Sequence, residues 1–263
     1  MKEFFEQLTS TWWGIVLIVL VCLAVWVVLS ALLYRVFFKR FYDVLLSGFA
    51  LLILSPVFLL LIVLGAIKMK GNPFFTQPRP GRVNRKTGEE RIFKLIKFRT
   101  MTCEKDSEGN LLPDEKRLTK YGRILRSTSL DELPELLNIF VGHMSIVGPR
   151  PMLVRDMTFM SAEVCLRHKV RGGLTGLAQV SGRNNITWEQ KFAYDLDYLK
   201  KISLWGDIAI IFKTALKVLR RSDVERDGTV SDIDYGDWLL QEGAVSQEEY
   251  EEKQAKAKEL LKV

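Results

Sequence analysis

Two long stretches without a charged residue decide what this chain can fold into. They run from Trp12 to Leu33 and from Val44 to Ile67, and the rest of the 263 residues is rich in charge. A soluble domain has no economical way to bury two such runs near one end. Roughly 20 consecutive apolar residues, however, suffice to cross a bilayer as a helix. The sequence therefore predicts membrane-embedded segments followed by a polar domain. A net charge of +7 on such a chain points to an anionic membrane surface or a phosphate-bearing substrate. Nucleic acid is not expected as a partner, because no zinc-finger, helix-turn-helix or aromatic RNA-binding signature accompanies the charge. The cysteines, Cys22, Cys103 and Cys165, include no C-x-x-C pair. Neither a metal knuckle nor a redox motif is expected from them, and their usage suits a reducing compartment.

The two apolar runs differ in their flanks. Arg35, Lys39 and Arg40 follow the first, whereas only Lys2 opposes Glu3 and Glu6 in front of it. The bias of basic residues toward the cytoplasmic side puts the C-terminal end of this run inside. A cleaved signal peptide calls for a basic leader, which is missing, so residues 1–38 read as an uncleaved transmembrane anchor. The second run has basic residues at both ends, with Lys68 and Lys70 closing it. If both flanks prefer the cytoplasm, the segment turns back within the membrane. Ser55-Pro56 near its middle supplies the means. Proline removes a backbone donor, and the neighbouring hydroxyl satisfies the orphaned carbonyl. Residues 39–70 are predicted to be a bent, re-entrant helix. The alternative is a kinked spanning helix, which would leave everything after Lys68 outside the cytoplasm.

The polar domain is expected over 71–223. FFTQ and RIFKLIKF read as strands of a hairpin around a loop carrying Pro78, Pro80, Gly81 and Gly88. One face of the second strand is expected to carry Arg91, Lys94 and Lys97. Cys103 to Lys116 reads as a polar loop turning at Gly109-Asn110, and Tyr121 to Ser127 brings Arg123 and Arg126. Then comes STSLDELPELLNIFVG, with helical spacing at Leu133, Leu136, Leu137 and Phe140. Ser129 and Glu132 match a capping box, and Asp131, ahead of Pro134, is the rival cap. Local physics leaves it open whether the two acids only start a helix. A helix N-terminus also favours phosphate, and adjacent carboxylates offer hard oxygens to a divalent cation. Arg150, held between Pro149 and Pro151, suits bidentate phosphate recognition.

The glycine-rich stretch RHKVRGGLTGLAQVSGRN carries Arg167, His168, Lys169, Arg171 and Arg183. Its spacing is neither a Walker loop nor a dinucleotide fingerprint. It reads as a flexible cationic loop facing a nucleotide diphosphate, or as a solvated basic loop. Two helices are predicted between Trp188 and Ser222. In the second, Ile208, Ile211, Phe212, Ala215, Leu216 and Leu219 form a stripe beside Lys213, Lys217, Arg220 and Arg221. Such a helix fits an anionic lipid surface and fits a protein core. Residues 224–263 form a polar tail with a solvated helix from about Val245 to Leu261.

These blocks in this order resemble the bacterial sugar transferases, specifically the small monotopic phosphoglycosyl transferases with a polyprenyl phosphate acceptor. The residues that carry the resemblance are KRFYDVLL, LSPVFLLL, FFTQPRPG, KFRTM, SLDELPELLNIFVGHMSIVGPRP, VRGGLTGLAQVSGRN and ALKVLRRS, spread from about Lys39 to Ser222. The resemblance implies a mostly helical α+β fold in which a re-entrant membrane helix, broken at Ser55-Pro56, joins a small catalytic domain with a β-hairpin and interfacial helices. It implies Asp131 as nucleophile, Glu132 as its acidic partner and Mg2+ at the pair. Lys97, Arg99, Arg126, Arg150, Arg171 and Arg183 fall in its substrate region. The implied reaction moves a phosphosugar from a UDP-sugar, an acetamido sugar by closest likeness, to undecaprenyl phosphate. It runs through an aspartyl-phosphosugar and releases UMP. The implied setting is the bacterial inner membrane with the catalytic domain on the cytoplasmic face. A second copy of the chain and downstream glycosyltransferases are the macromolecular partners to expect. Where members often carry proline, tryptophan and an acid, this chain has Gly172-Gly173, Leu177 and His143. The rival readings from the residues are a membrane-bound nucleotide-sugar diphosphate hydrolase and a non-enzymatic scaffold recruiting through its tail.

Overall fold

The computed structural model describes residues 9–182, 186–220 and 233–262. It opens on α1 (Trp12–Leu32), whose apolar side chains face outward nearly all round. Both α1 and the segment Tyr34–Lys68 are long and apolar enough to cross a membrane. A folded domain in water does not leave so much apolar surface uncovered, so lipid is the environment these helices call for. A π-helical turn, Tyr34–Phe38, leads into α2 (Lys39–Lys68). The chain bends sharply here. Trp26 Nε1 donates to Tyr42 Oη at 3.0 Å across sixteen residues, which one straight helix would hold about 24 Å apart.

α2 runs uninterrupted through Pro56. The proline orphans the Leu52 carbonyl, and Ser55 Oγ donates to that oxygen at 2.8 Å, as the Ser-Pro pair predicts. One side of α2 lies on the polar domain. Ala50, Leu51 and Leu54 pack on a core of Phe93, Leu95, Leu136, Ile139 and Met144. Further along, Phe58, Leu61 and Ile62 meet Phe98 and Leu125.

The hairpin is longer than expected. β1 (Phe74–Val83) pairs antiparallel with β2 (Glu90–Phe98), and Pro78 and Pro80 sit inside the strand opposite Lys94 and Ile92. In a two-stranded sheet both strands are edges, where a missing N–H is tolerated. The predicted loop therefore shrinks to residues 84–89. The expected basic face is also corrected. Strand alternation puts Phe93, Leu95 and Lys97 on one face, with Phe75, Gln77 and Arg79 opposite them in register, and puts Lys94 on the other.

After α3 (Asp114–Arg117) and α4 (Lys120–Ser127), a 3-10 turn at Leu130–Glu132 precedes α5 (Glu135–Val141). The capping box does not form, and Asp131 caps nothing. Ser129 takes a left-handed conformation, φ 55°, with no side-chain cap bond, and Pro134 holds the N-cap position of α5. Ser129 at positive φ is a local strain of about 1 kcal/mol.

The stretch read as a flexible glycine loop is instead built in. β3 (Ser145–Val147) pairs in parallel with β4 (Gly173–Thr175). A Cβ on Gly172 would overlap the Pro151 ring, so Gly172 lets the strand press against the turn that carries Arg150. α6 (Val154–Met157), α7 (Ala162–Cys165) and a 3-10 turn at Leu166–Lys169 lie between them. α8 (Leu177–Ser181), α9 (Trp188–Lys200) and α10 (Leu204–Arg220) follow.

α10 turns its mixed face inward. Asp207 and Ile210 are buried, Thr214 bonds Thr175, and Lys217 Nζ donates to Gln179 O at 2.8 Å. Trp205, Phe212 and Leu219 stay exposed at 62%, 63% and 79%. The apolar stripe therefore faces out of the domain, and Lys217 serves the fold; Arg221 and the Arg220 side chain lie outside the described residues. The tail is a docked element. α11 (Tyr235–Gln241) and α12 (Gln247–Leu260) pack on α6. Gly236 N donates to the buried Asp156 at 3.3 Å, and Tyr250 rests on Phe159 with ring centroids 5.6 Å apart.

Candidate active site

Asn138 of α5 sets the position of the acids. Its Oδ1 accepts from Ile96 N at 3.0 Å and its Nδ2 donates to Lys94 O at 2.9 Å, so a helix side chain pairs with the backbone of β2. One helical turn back, Glu135 then faces Lys97. Lys97 Nζ lies 3.2 Å from Glu135 Oε1 and donates to Glu132 Oε1 at 2.7 Å. Arg150 Nη2 donates to the same Glu132 oxygen. Asp131, beside Glu132, has no hydrogen bond or ion pair among the described residues.

The electrostatics separate the three carboxyls. Burial pushes Glu132 up, but Arg150 and then Lys97 outweigh it and hold the carboxyl at about 2. Burial raises Glu135, and the Glu132 charge adds to that. Burial also raises Asp131, with Lys97, Arg126 and Arg150 pulling against it and Glu132 pushing with it. Glu132 is thus held ionised between two cations, while Asp131 has no such partner among the described residues.

The turn that carries Arg150 is braced from two sides. Arg167 Nη2 donates to Arg150 O at 2.7 Å, and Arg167 pairs with Asp195 at 2.6 Å, both of these side chains buried. Arg79 Nη1 donates to Pro151 O at 3.1 Å and its Nη2 to Gln77 at 2.6 Å. Burial, with Arg150 nearby, lowers the Arg79 guanidinium to about 10. Arg79 and Glu135 belong to this site though sequence reasoning gave neither a role there, and Arg167, read from the sequence as part of a cationic loop, serves it as a buried brace instead. The signal was strand parity: Arg79 shares a face with Lys97 once the register is known.

Of the residues predicted at the site, the structure brings together Asp131, Glu132, Lys97 and Arg150. Arg126 acts on Asp131 through its charge and donates to Thr100 Oγ1 at 3.2 Å. Arg99 turns to Cys103, with Nη2 3.2 Å from the sulfur. Arg171 stands elsewhere. Its Nε donates to Gly142 O at 2.8 Å, beyond the C-terminal end of α5, with the acids before the other end. Arg183 lies outside the described residues, and Ser55 and Pro56 are in α2. The donor set fits a hard divalent cation: Asp131 has no partner among the described residues, and the bridge to Lys97 and Arg150 uses Oε1 of Glu132.

The model of the family described as bacterial sugar transferase matches residues 33–221. Among curated proteins, the uncharacterized sugar transferase EpsL of Bacillus subtilis is 42% identical over 73% of this chain and 93% of its own length. The UDP-glucose:undecaprenyl-phosphate glucose-1-phosphate transferase of Caulobacter vibrioides is 36% identical over 69% of each chain. The Klebsiella pneumoniae transferase of the same description is 38% identical over 68% of this chain but only 40% of its own.

Proposed function

This chain belongs to the bacterial sugar transferase family, and from that premise we propose that it moves a phosphosugar from a UDP-sugar to undecaprenyl phosphate at the membrane surface. Asp131 attacks the phosphorus that bears the sugar. The bond from that phosphorus to the bridging oxygen breaks, and UMP departs with the oxygen. A phosphate oxygen of undecaprenyl phosphate then attacks the aspartyl-phosphosugar, and Asp131 leaves as a carboxylate. Lys97 and Arg150 keep Glu132 charged and in place, and with Arg126 they offset the repulsion between Asp131 and the diphosphate. Asp131 and Glu132 are the residues that would hold Mg2+, which would supply neutralisation of diphosphate charge.

The observation that carries this reading is an acid pair in which one carboxylate is bridged to two cations and its neighbour is free. UMP release from UDP-sugar tests it. Release that depends on added undecaprenyl phosphate supports transfer, and release without it would instead indicate a hydrolase. The donor follows from a panel of UDP-sugars. The resemblance to small single-domain members favours an acetamido sugar. The glucose transfer in two relatives' descriptions favours a hexose.

The contacts of α2 support re-entry, and the basic residues at both its flanks favour the cytoplasmic face. At its start, Lys39 Nζ donates to Val147 O at 2.9 Å and Arg40 Nη1 to Ile139 O at 2.7 Å. Near its end, Tyr121 Oη donates to Leu61 O at 3.1 Å. A helix spanning about 30 Å of hydrocarbon presents its ends to opposite aqueous sides, yet one polar domain holds both ends here. The exposed apolar stripe of α10, with Trp205, Phe212 and Leu219, is the kind of surface an interfacial helix turns to lipid.

A further inference from the structure

Glu90 opens β2, and Cys165 and His168 stand at i and i+3 across the junction of α7 and the following 3-10 turn. One ligand atom from each lies within 4.8 Å of the other two. His168 Nδ1 is 3.2 Å from Glu90 Oε1. The imidazole is buried, and its Nε2 has no hydrogen-bond partner. Cys165 is a free thiol, half-buried. Nitrogen, sulfur and carboxylate oxygen are the zinc donor set, unlike the all-oxygen set at Asp131 and Glu132. Donors around a tetrahedral zinc sit about 3.3–3.8 Å apart, so the widest separation must close by about 1 Å.

We propose that Glu90, Cys165 and His168 bind one Zn2+ ion and that this ion fixes the turn carrying Arg167. Binding makes a zinc–sulfur bond and expels the thiol proton to water. The thiolate and carboxylate then balance the ion's two charges, and a water fills the fourth position. The adjacent Arg167 does not oppose the ion with a free charge, because Asp195 pairs with it at 2.6 Å. Arg167 lies between the two ligands of the turn and donates to Arg150 O. The ion would therefore stiffen the brace behind Arg150 without touching the reacting groups.

The full-length protein in detergent, stripped with chelator and titrated with Co2+, tests this. One equivalent should give a sulfur-to-cobalt charge-transfer band and tetrahedral d–d absorption, and one equivalent of Zn2+ should abolish both. Cys165→Ser should remove the charge-transfer band, and His168→Gln should weaken binding at least tenfold. The double variant Cys22→Ser/Cys103→Ser should keep the band. As a measurement free of variants, Zn2+ should slow alkylation of Cys165 but not of Cys103, read by peptide mapping. No thiolate band in the wild-type protein, a band that survives Cys165→Ser, or equal alkylation with and without Zn2+ would each reduce the cluster to a His–Glu hydrogen bond beside a thiol. The UMP assay reads the reaction separately, so a lost zinc site and a wrong reaction are distinguishable.

Discussion

Asp131 and Glu132 are neighbours in sequence with different fates in space. Glu132 is spent on Lys97 and Arg150, and Asp131 is left free. Asp131→Asn should abolish UMP release while leaving the melting temperature within a degree or two, and donor alone should no longer label the protein with phosphosugar. Because the Asp131 carboxyl sits above its ordinary value and must be ionised to attack, the acid limb of kcat/KM should lie above the usual aspartate range. Removing a cation that pulls it down, as in Lys97→Met, should move that limb to higher pH; a limb that stays put or moves down contradicts the arrangement. Glu132 has the opposite sign. Its folded value is depressed, so its contribution to stability is present above the unfolded glutamate value and is lost as pH falls toward about 2. The acid pair and Arg150 entered as candidates through the family resemblance, since local physics left the acids open between helix capping and chemistry. The buried supports Arg79 and Arg167 were not legible as such, because their partners lie 72 residues and 17 residues away.

The element that matters most is α5, tied to β2 by Asn138. Asn138→Ala leaves the Ile96 N–H and the Lys94 carbonyl without this partner, at a cost of about 2 kcal/mol. Thermal melting should show a clear loss of stability, with activity falling alongside it. Gly172→Ala acts differently. The added methyl displaces Pro151, and with it Arg150, so kcat/KM should drop roughly tenfold, about 1.4 kcal/mol in barrier, with a smaller effect on melting. Helix positions were largely legible, because apolar spacing survives in α5, α9 and α10. The strand lengths were not. Pro78 and Pro80 looked like loop residues, and only the two-stranded sheet makes them acceptable. The capping box failed for a similar reason: the left-handed Ser129 depends on the packing around the turn, which a four-residue motif does not encode.

For the molecule as a whole, the two apolar runs announced membrane association, and the side of the membrane depends on which parts the polar domain grips. With Cys22, Cys103 and Cys165 replaced, cysteines placed at Lys70 and at Lys86 should both react with an impermeant thiol reagent added outside only after the membrane is made permeable. Pro56→Ala, which restores the Leu52 hydrogen bond, should shift part of the population to the opposite labelling pattern. Labelling of both positions from outside in the unmodified chain would refute re-entry. The docking of α11 and α12 on α6 was not legible, since a charged amphipathic helix reads the same whether solvated or packed along one side.

The corner at Leu33 has a consequence of its own. The family match begins at residue 33, and the catalytic unit carries its lipid-embedded support within itself from Lys39 onward. Trp26 and Ser30 of α1 are joined to α2 through the Tyr42 hydroxyl. Leu33 is thus a seam at which a different leading module could be grafted, with the chemistry downstream carried over intact.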